Sequence, residues 1–239
     1  MERPWTTDRA YRRRVEVWPG PGAVEAEMED YCHHFRLRIS HRDGTVTDVE
    51  AEGARVPWET CGVGANGARS MIGTPLAECV AASAWAPDRT TQCVHVIDLA
   101  LVAVRHALDA FSTRYEVLIS PGSHRRREAM LSANEQPLLH WTLDGETVSG
   151  PPPFAGLSLA RAPFFAWIRA NLPEDRHEPA VVLRRACSIG ISRGIDLDDY
   201  PFAADIHPPD GSCYTYSQDV ALSARRMLGS SRATEADLG

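Results

Sequence analysis

Apolar and acidic residues alternate early in the chain. Val24, Ala26 and Met28 stand between Glu25, Glu27 and Glu29, which predicts a strand with one buried face. Past Asp30 the phase reverses, and Phe35, Leu37 and Ile39 become the apolar set against Arg36 and Arg38. A change of face needs an extra residue or a bend, so a bulge or a plain corner between two strands is expected at 30–33. Asp43-Gly44 is a type I′ turn signal, and residues 45–51 return as the partner strand. A loop follows from Arg55 to Cys61, with Gly62, Gly64 and Gly67 after it. Thr74 and Pro75 read as N-cap and first residue of a helix reaching Trp85. Thr90 or Thr91 caps a longer helix reaching Phe111. Its apolar residues lie on most sides, Asp98, Arg105, His106 and Asp109 excepted, as expected of a central buried helix.

The later pattern is similar in style. Residues 115–120, 127–133 and 138–143 read as strands, with Asp144-Gly145 as a tight turn and Pro151-Pro152-Pro153-Phe154 ending the sheet segment. Helices are expected at 157–170 and 179–191, with Gly194 as a stop signal. A short strand at 211–216, a last helix at 219–228 and a disordered polar tail at 230–239 complete the chain. The predicted fold class is α+β, antiparallel hairpins packed on helices. A flexible stretch, 1–12, precedes a single domain at 13–229. Both parts run strand, Asp-Gly turn, strand, Pro-aromatic loop, helices. Two similar β-β-α-α halves, 13–112 and 113–229, sharing one core, fit that order.

Composition narrows the function classes. With 239 residues, 44% hydrophobic and 24% charged, the chain suits one large domain or two small ones with a common core. A formal charge of −7 argues against nucleic acid as the main partner. The longest apolar stretch, 99–104, is too short for a bilayer, and Met1-Glu2-Arg3-Pro4 lacks a secretory pattern. A cytoplasmic protein is expected, with a small-molecule substrate, no membrane partner, and self-association left open. Six cysteines without a C-x-x-C pair read as free thiols in a reducing compartment. The basic run His124–Arg127 reads as a solvated loop.

Motifs for phosphate, dinucleotide and H-E-x-x-H zinc chemistry are missing from the sequence. Gly156-Leu157-Ser158-Leu159-Ala160 follows a proline run rather than a strand, so Ser158 reads as a helix-start residue. Two clusters remain. In Asp30-Tyr31-Cys32-His33-His34-Phe35-Arg36, His33 shares strand parity with Phe35, and His34 shares it with Arg36. Either histidine suits acid–base work near neutral pH; an inward one is equally an ordinary hydrogen-bonded core residue. In Cys93-Val94-His95-Val96-Ile97-Asp98, a helix sets His95 and Asp98 on one face, so the carboxylate can orient the ring. The helix start there favours a neutral imidazole. The plain alternative is a first helical turn in which both residues serve backbone donors. A zinc site from Cys61, Cys93, His95 and His34 or His33 is a further option, though its spacing is unusual.

These clusters, with Arg55-Val56-Pro57-Trp58-Glu59-Thr60-Cys61, Met71-Ile72-Gly73-Thr74-Pro75-Leu76, Pro153-Phe154-Ala155-Gly156, Leu183-Arg184-Arg185-Ala186, Ser192-Arg193-Gly194-Ile195-Asp196-Leu197 and Gly211-Ser212-Cys213-Tyr214, resemble the bacterial family called domain of unknown function 2889. Cys32 departs from it, standing where an apolar or acidic residue is expected. The resemblance implies a setting in the degradation of hydrophobic and aromatic compounds, and no reaction. The expected function is a catabolic lyase, eliminating or cleaving by a retro-aldol step, with His34 or His95 as the proton-transfer residue and His33 and Asp98 beside them. Tyr214 or Arg36 would stabilise an oxyanion, and Phe35, Trp58, Trp85 and Tyr216 would line an apolar pocket. No organic cofactor is expected. The alternatives are a zinc-dependent hydrolase on the Cys/His set and a non-catalytic ligand-binding protein.

Overall fold

Tyr11, Arg13, Val15 and Val17 point inward along the first strand while Arg12, Arg14 and Glu16 point outward. A computed structural model gives this arrangement and describes residues 10–80, 88–121, 126–190, 193, 195–206 and 211–231. The strands are β1 (Tyr11–Gly20), β2 (Ala23–Asp30), β3 (His34–Arg42), β4 (Thr45–Arg55), β5 (Thr113–Ile119), β6 (Arg126–Ala133), β7 (Gln136–Asp144) and β8 (Thr147–Gly150). The helices are α1 (Cys61–Ala65), α2 (Leu76–Val80), α3 (Val94–His106), α4 (Arg161–Asn171), α5 (His177–Gly190) and α6 (Gln218–Ala221). With antiparallel ladders and separate helices, the class is α+β.

The chain divides into two compact units. The larger joins Val15–Thr113 to Asp196–Arg232, and the smaller is built on Arg114–Ile195 with the start of β1 as far as Arg14. The division near residue 113 matches the sequence halves, but the segment from Asp196 onward returns to the earlier part of the chain. Two sequential β-β-α-α halves are therefore not what the units are.

In the larger unit the strand order is β4-β3-β2-β1. Val24 faces Ile39, Ala26 faces Leu37 and Met28 faces Phe35, so the apolar sets of β2 and β3 share one face. Helix α3 packs there, against β2 and β3, burying Val96, Leu99, Ala100 and Ala103. Each fully buried large apolar side chain stabilises the unit by roughly 1.5–3 kcal/mol. The Asp43-Gly44 turn has both residues at positive φ, 50° and 74°, as type I′ requires.

In the smaller unit the order is β5-β6-β7-β8. Helix α5 packs on β6 and β7, with Ala180, Leu183, Ala186 and Cys187 fully buried. Trp141, without exposed surface, lies 5.3 Å from the Phe154 ring and 6.3 Å from that of Phe164. Ser158 Oγ accepts from the Ala160 N–H at 3.2 Å, just before α4.

Several expectations change. Tyr11 and Arg12 are strand rather than flexible chain; Arg13 fills an inward position and so hides the alternation. Residues 214–216 form a helical turn, not a strand, because the Tyr214 N–H is drawn to the Gln92 carbonyl at 2.9 Å. The last helix ends at Ala221. Beyond it Ala224 and Arg226 are buried while Arg225 and Met227 are exposed, a strand period, and Arg225 and Arg226 bridge to Phe202 and Trp58. Arg127 is buried at 6% exposure in β6 rather than solvated. Trp85 and residues 1–9, 122–125 and 232–239 lie outside the described residues; Ser230 and Ser231 are described and bonded.

Candidate functional site

The turn between β2 and β3 is built by Asp30. Its Oδ1 accepts the backbone N–H of Cys32 at 3.1 Å and of His33 at 2.9 Å, the local bonding that makes Asp a turn residue. The Asp30 N–H donates to the His33 carbonyl at 2.9 Å and closes the turn. The same Oδ1 lies 3.0 Å from His33 Nδ1. Asp30 has no exposed surface, so this carboxylate fixes the ring in a low-dielectric setting. With Nδ1–H donating to Asp30, the lone pair of His33 is left on Nε2.

Arg55, at the end of β4, holds the turn from outside. Its Nη2 donates to Glu29 Oε1 at 3.1 Å and to the carbonyls of Asp30 at 2.7 Å and His33 at 3.2 Å. Nη1 donates to the carbonyls of Tyr31 and Ser230, each at 3.0 Å. This role is not legible in the residue pattern: Arg55 heads a stretch that shares in the family resemblance, but four of its five partners are backbone oxygens.

Helix α3 brings the second ring. Cys93 is its N-cap residue, which puts His95 in the first turn. The His95 ring centroid lies 4.2 Å from that of His33 at an interplanar angle of 35°. Phe35 backs both rings, 6.0 Å from each. The two histidine clusters thus meet, and His33 and His95 keep 8% and 9% exposure. Asp98 is half-buried one turn along α3; the carboxylate set on His33 is that of Asp30.

Strand parity removes two expected members. His34 pairs with Glu27 at 3.3 Å, and Arg36 pairs with Glu27 at 3.0 Å and Glu52 at 3.8 Å. Both therefore face away from Phe35 and His95. The zinc set of Cys61, Cys93 and His95 loses His34 for the same reason, and with His33 in its place its ligand atoms do not gather among the described residues. The ligand atoms that do converge, within 4.8 Å of one another, belong to Asp30, Cys32 and His33; Cys32 Sγ is 3.2 Å from His33 Nδ1.

The remaining expected aromatics among the described residues are packed side chains. Trp58 is buried and its indole N–H donates to the Tyr216 hydroxyl at 3.0 Å. Tyr214 is half-buried, its Cβ against Gly64. Gly64 matters for α3: its carbonyl accepts from Cys93 N–H at 2.8 Å. An added Cβ would stand 3.1 Å from Cys93 N and 3.2 Å from Tyr214 Cβ. Gly64→Ala is expected to lower stability by roughly 1–3 kcal/mol, read as a shift in the urea midpoint. An unchanged midpoint would show that the segment yields freely.

Burial pushes the Cys61 thiol up to about 12, against a smaller opposing effect of its Thr215 hydrogen bond. Cys93 is raised by the same cause, so neither is a thiolate at neutral pH. Cys187, in the smaller unit, is likewise pushed up to about 12 by burial. The unfolded thiols ionise near 9, so above that pH the native state holds protons that the unfolded chain has lost. Stability is then full below pH ~8.5 and falls as pH rises toward 12, by about 1.4 kcal/mol per pH unit for each such thiol. Urea midpoints measured from pH 7.5 to 10 should drop, and Cys61→Ala should flatten the decline. A midpoint constant to pH 10 would contradict buried neutral thiols.

No helix among the described residues is long and apolar enough to cross a membrane. No curated protein matches the chain. The stretches after residue 108 that share in the family resemblance lie outside the segment matched by the family model. That segment, residues 15–108, carries Asp30, Cys32, His33, Arg55 and His95, and it matches the model of the family described as protein of unknown function (DUF2889).

Proposed function

We propose that the chain is a lyase of small-molecule catabolism, in which His33 and His95 are the proton-transfer pair and Asp30 orients His33. The observation that carries this reading is the 4.2 Å separation of two imidazoles from different elements, one of them with a buried carboxylate on Nδ1. In a retro-aldol cleavage, His33 Nε2 takes the hydroxyl proton, the carbon–carbon bond breaks to a carbonyl and an enolate, and that proton, handed on to His95, is delivered to the enolate carbon. In an elimination the same pair removes a C–H proton and protonates the departing oxygen. Both need a base and an acid within one functional group's span, and neither needs an organic cofactor.

The family's implied setting motivates a hydrophobic or aromatic substrate, and the free thiols fit the cytoplasm. The test is purified protein on lignin-derived β-hydroxy carbonyl aromatics and steroid intermediates, with release of aldehyde or formation of a new double bond followed by mass spectrometry. Turnover by the wild type that is lost in both His33→Gln and His95→Gln supports the assignment; turnover that survives in both ends it. The Asp30–Cys32–His33 convergence favours one second reading, a metal-dependent hydrolase. Stoichiometric zinc in untagged protein, lost in Cys32→Ala, would select it.

A further inference from the structure

The smaller unit buries three arginines, Arg13, Arg127 and Arg184, at 3%, 6% and 6% exposure. They come from β1, β6 and α5, and all three guanidinium groups act on the thiol of Cys187, which is one turn beyond Arg184 on α5. Arg184 is held in place: its Nε donates to the Leu159 carbonyl at 2.8 Å, and its guanidinium lies over the Phe164 ring at 5.4 Å and the Phe165 ring at 5.7 Å. Arg127 is different. Among the described residues its Nε and Nη1 are buried without a hydrogen-bond partner, and no carboxylate acts on it. A buried guanidinium in that condition is costly, and proteins normally supply an anion or an acceptor.

The geometry points to a binding site for a small oxyanion, a carboxylate or phosphate group, with Arg127 as the principal donor and Arg13 and Arg184 adding positive potential. Two parallel N–H donors on one planar fork match two oxygens of either group. The residual exposure of Arg127 leaves the group a way in. This site belongs to the smaller unit and the acid–base pair to the larger, so its failure would leave that reading untouched.

Thermal unfolding tests it, with sodium phosphate, sodium acetate and sodium chloride compared at equal ionic strength, for wild type and Arg127→Met. Met keeps the volume and removes the charge. Wild type should gain roughly 3–6 °C at saturating phosphate or acetate relative to chloride, and Arg127→Met should gain less than ~1 °C while melting no lower than wild type in chloride. A gain with phosphate alone assigns phosphate; a gain with acetate alone assigns a carboxylate. No gain over chloride, or an equal gain in both proteins, overturns the site. Should Arg127→Met not fold, calorimetric titration of wild type against Arg127→Lys decides. At least tenfold weaker binding by the Lys variant supports the fork; equal binding, or none to wild type, overturns it.

Discussion

His95→Gln should leave a folded protein whose turnover is at least about a hundredfold lower, the usual scale for losing a general acid or base. Gln keeps most of the volume against Phe35 and His33 but cannot shuttle a proton near pH 7. His33→Gln should cost the same, because the two rings act on one reacting group. The double variant should then be only slightly worse than either single one, since groups that act as a unit are strongly non-additive. Asp30→Asn retains an oxygen for the N–H groups of Cys32 and His33 and removes the negative charge. It should lower turnover by roughly ten- to a hundredfold while the turn survives. Single variants with near-normal turnover, or fully additive losses, would return both histidines to the role of packed core residues.

The largest expected loss of stability is at Arg55. Arg55→Met removes five donated hydrogen bonds and takes the guanidinium from Glu29, whose side chain is 5% exposed. Breaking a buried ion pair from one side costs roughly 3–5 kcal/mol, and the abandoned carbonyls add to that. Arg55→Lys should rescue little, because one ammonium cannot serve carbonyls on both sides of a planar fork. Urea unfolding reads the loss. Amide exchange at residues 31–33 should rise even where the variant remains folded. A loss under ~1 kcal/mol with unchanged exchange would show that Asp30 alone maintains the turn.

The sequence carried much of this. Alternation located β2 and β3, and the phase reversal after Asp30 marked the turn, because a half-buried strand cannot change face without one. The parity of His33 with Phe35 marks the inward ring, yet the expected proton-transfer residue is His34 or His95, and β3 carries His34 with Arg36 to the other side. What stayed hidden has a common cause. Asp30 acts through an i to i+3 contact that exists only once the turn closes. Arg55 binds carbonyls, which no residue pattern announces. Arg13 and Arg127 occupy inward strand positions; the first hides the alternation of β1, and charge read as exposure misplaced the second. The segment after Leu222 switched from helical to extended because Trp58 and Phe202 offer it backbone partners, a choice made by tertiary structure over local propensity.

The Arg55–Ser230 bond joins residues 175 positions apart, and Thr215 and Tyr216 likewise reach back to Cys61 and Trp58. On a ribosome adding 5–20 residues per second, roughly 9–35 s separate the emergence of these partners. Throughout that interval the nascent chain already contains the β2–β3 turn and α3, while Trp58 and Cys61 still await their cover. The unit begun at Val15 is therefore completed late, and the Arg114–Ile195 part of the smaller unit is synthesised within the wait. Biosynthesis sets a window in which half-built chains need shielding from one another, and the return of Asp196–Arg232 closes it.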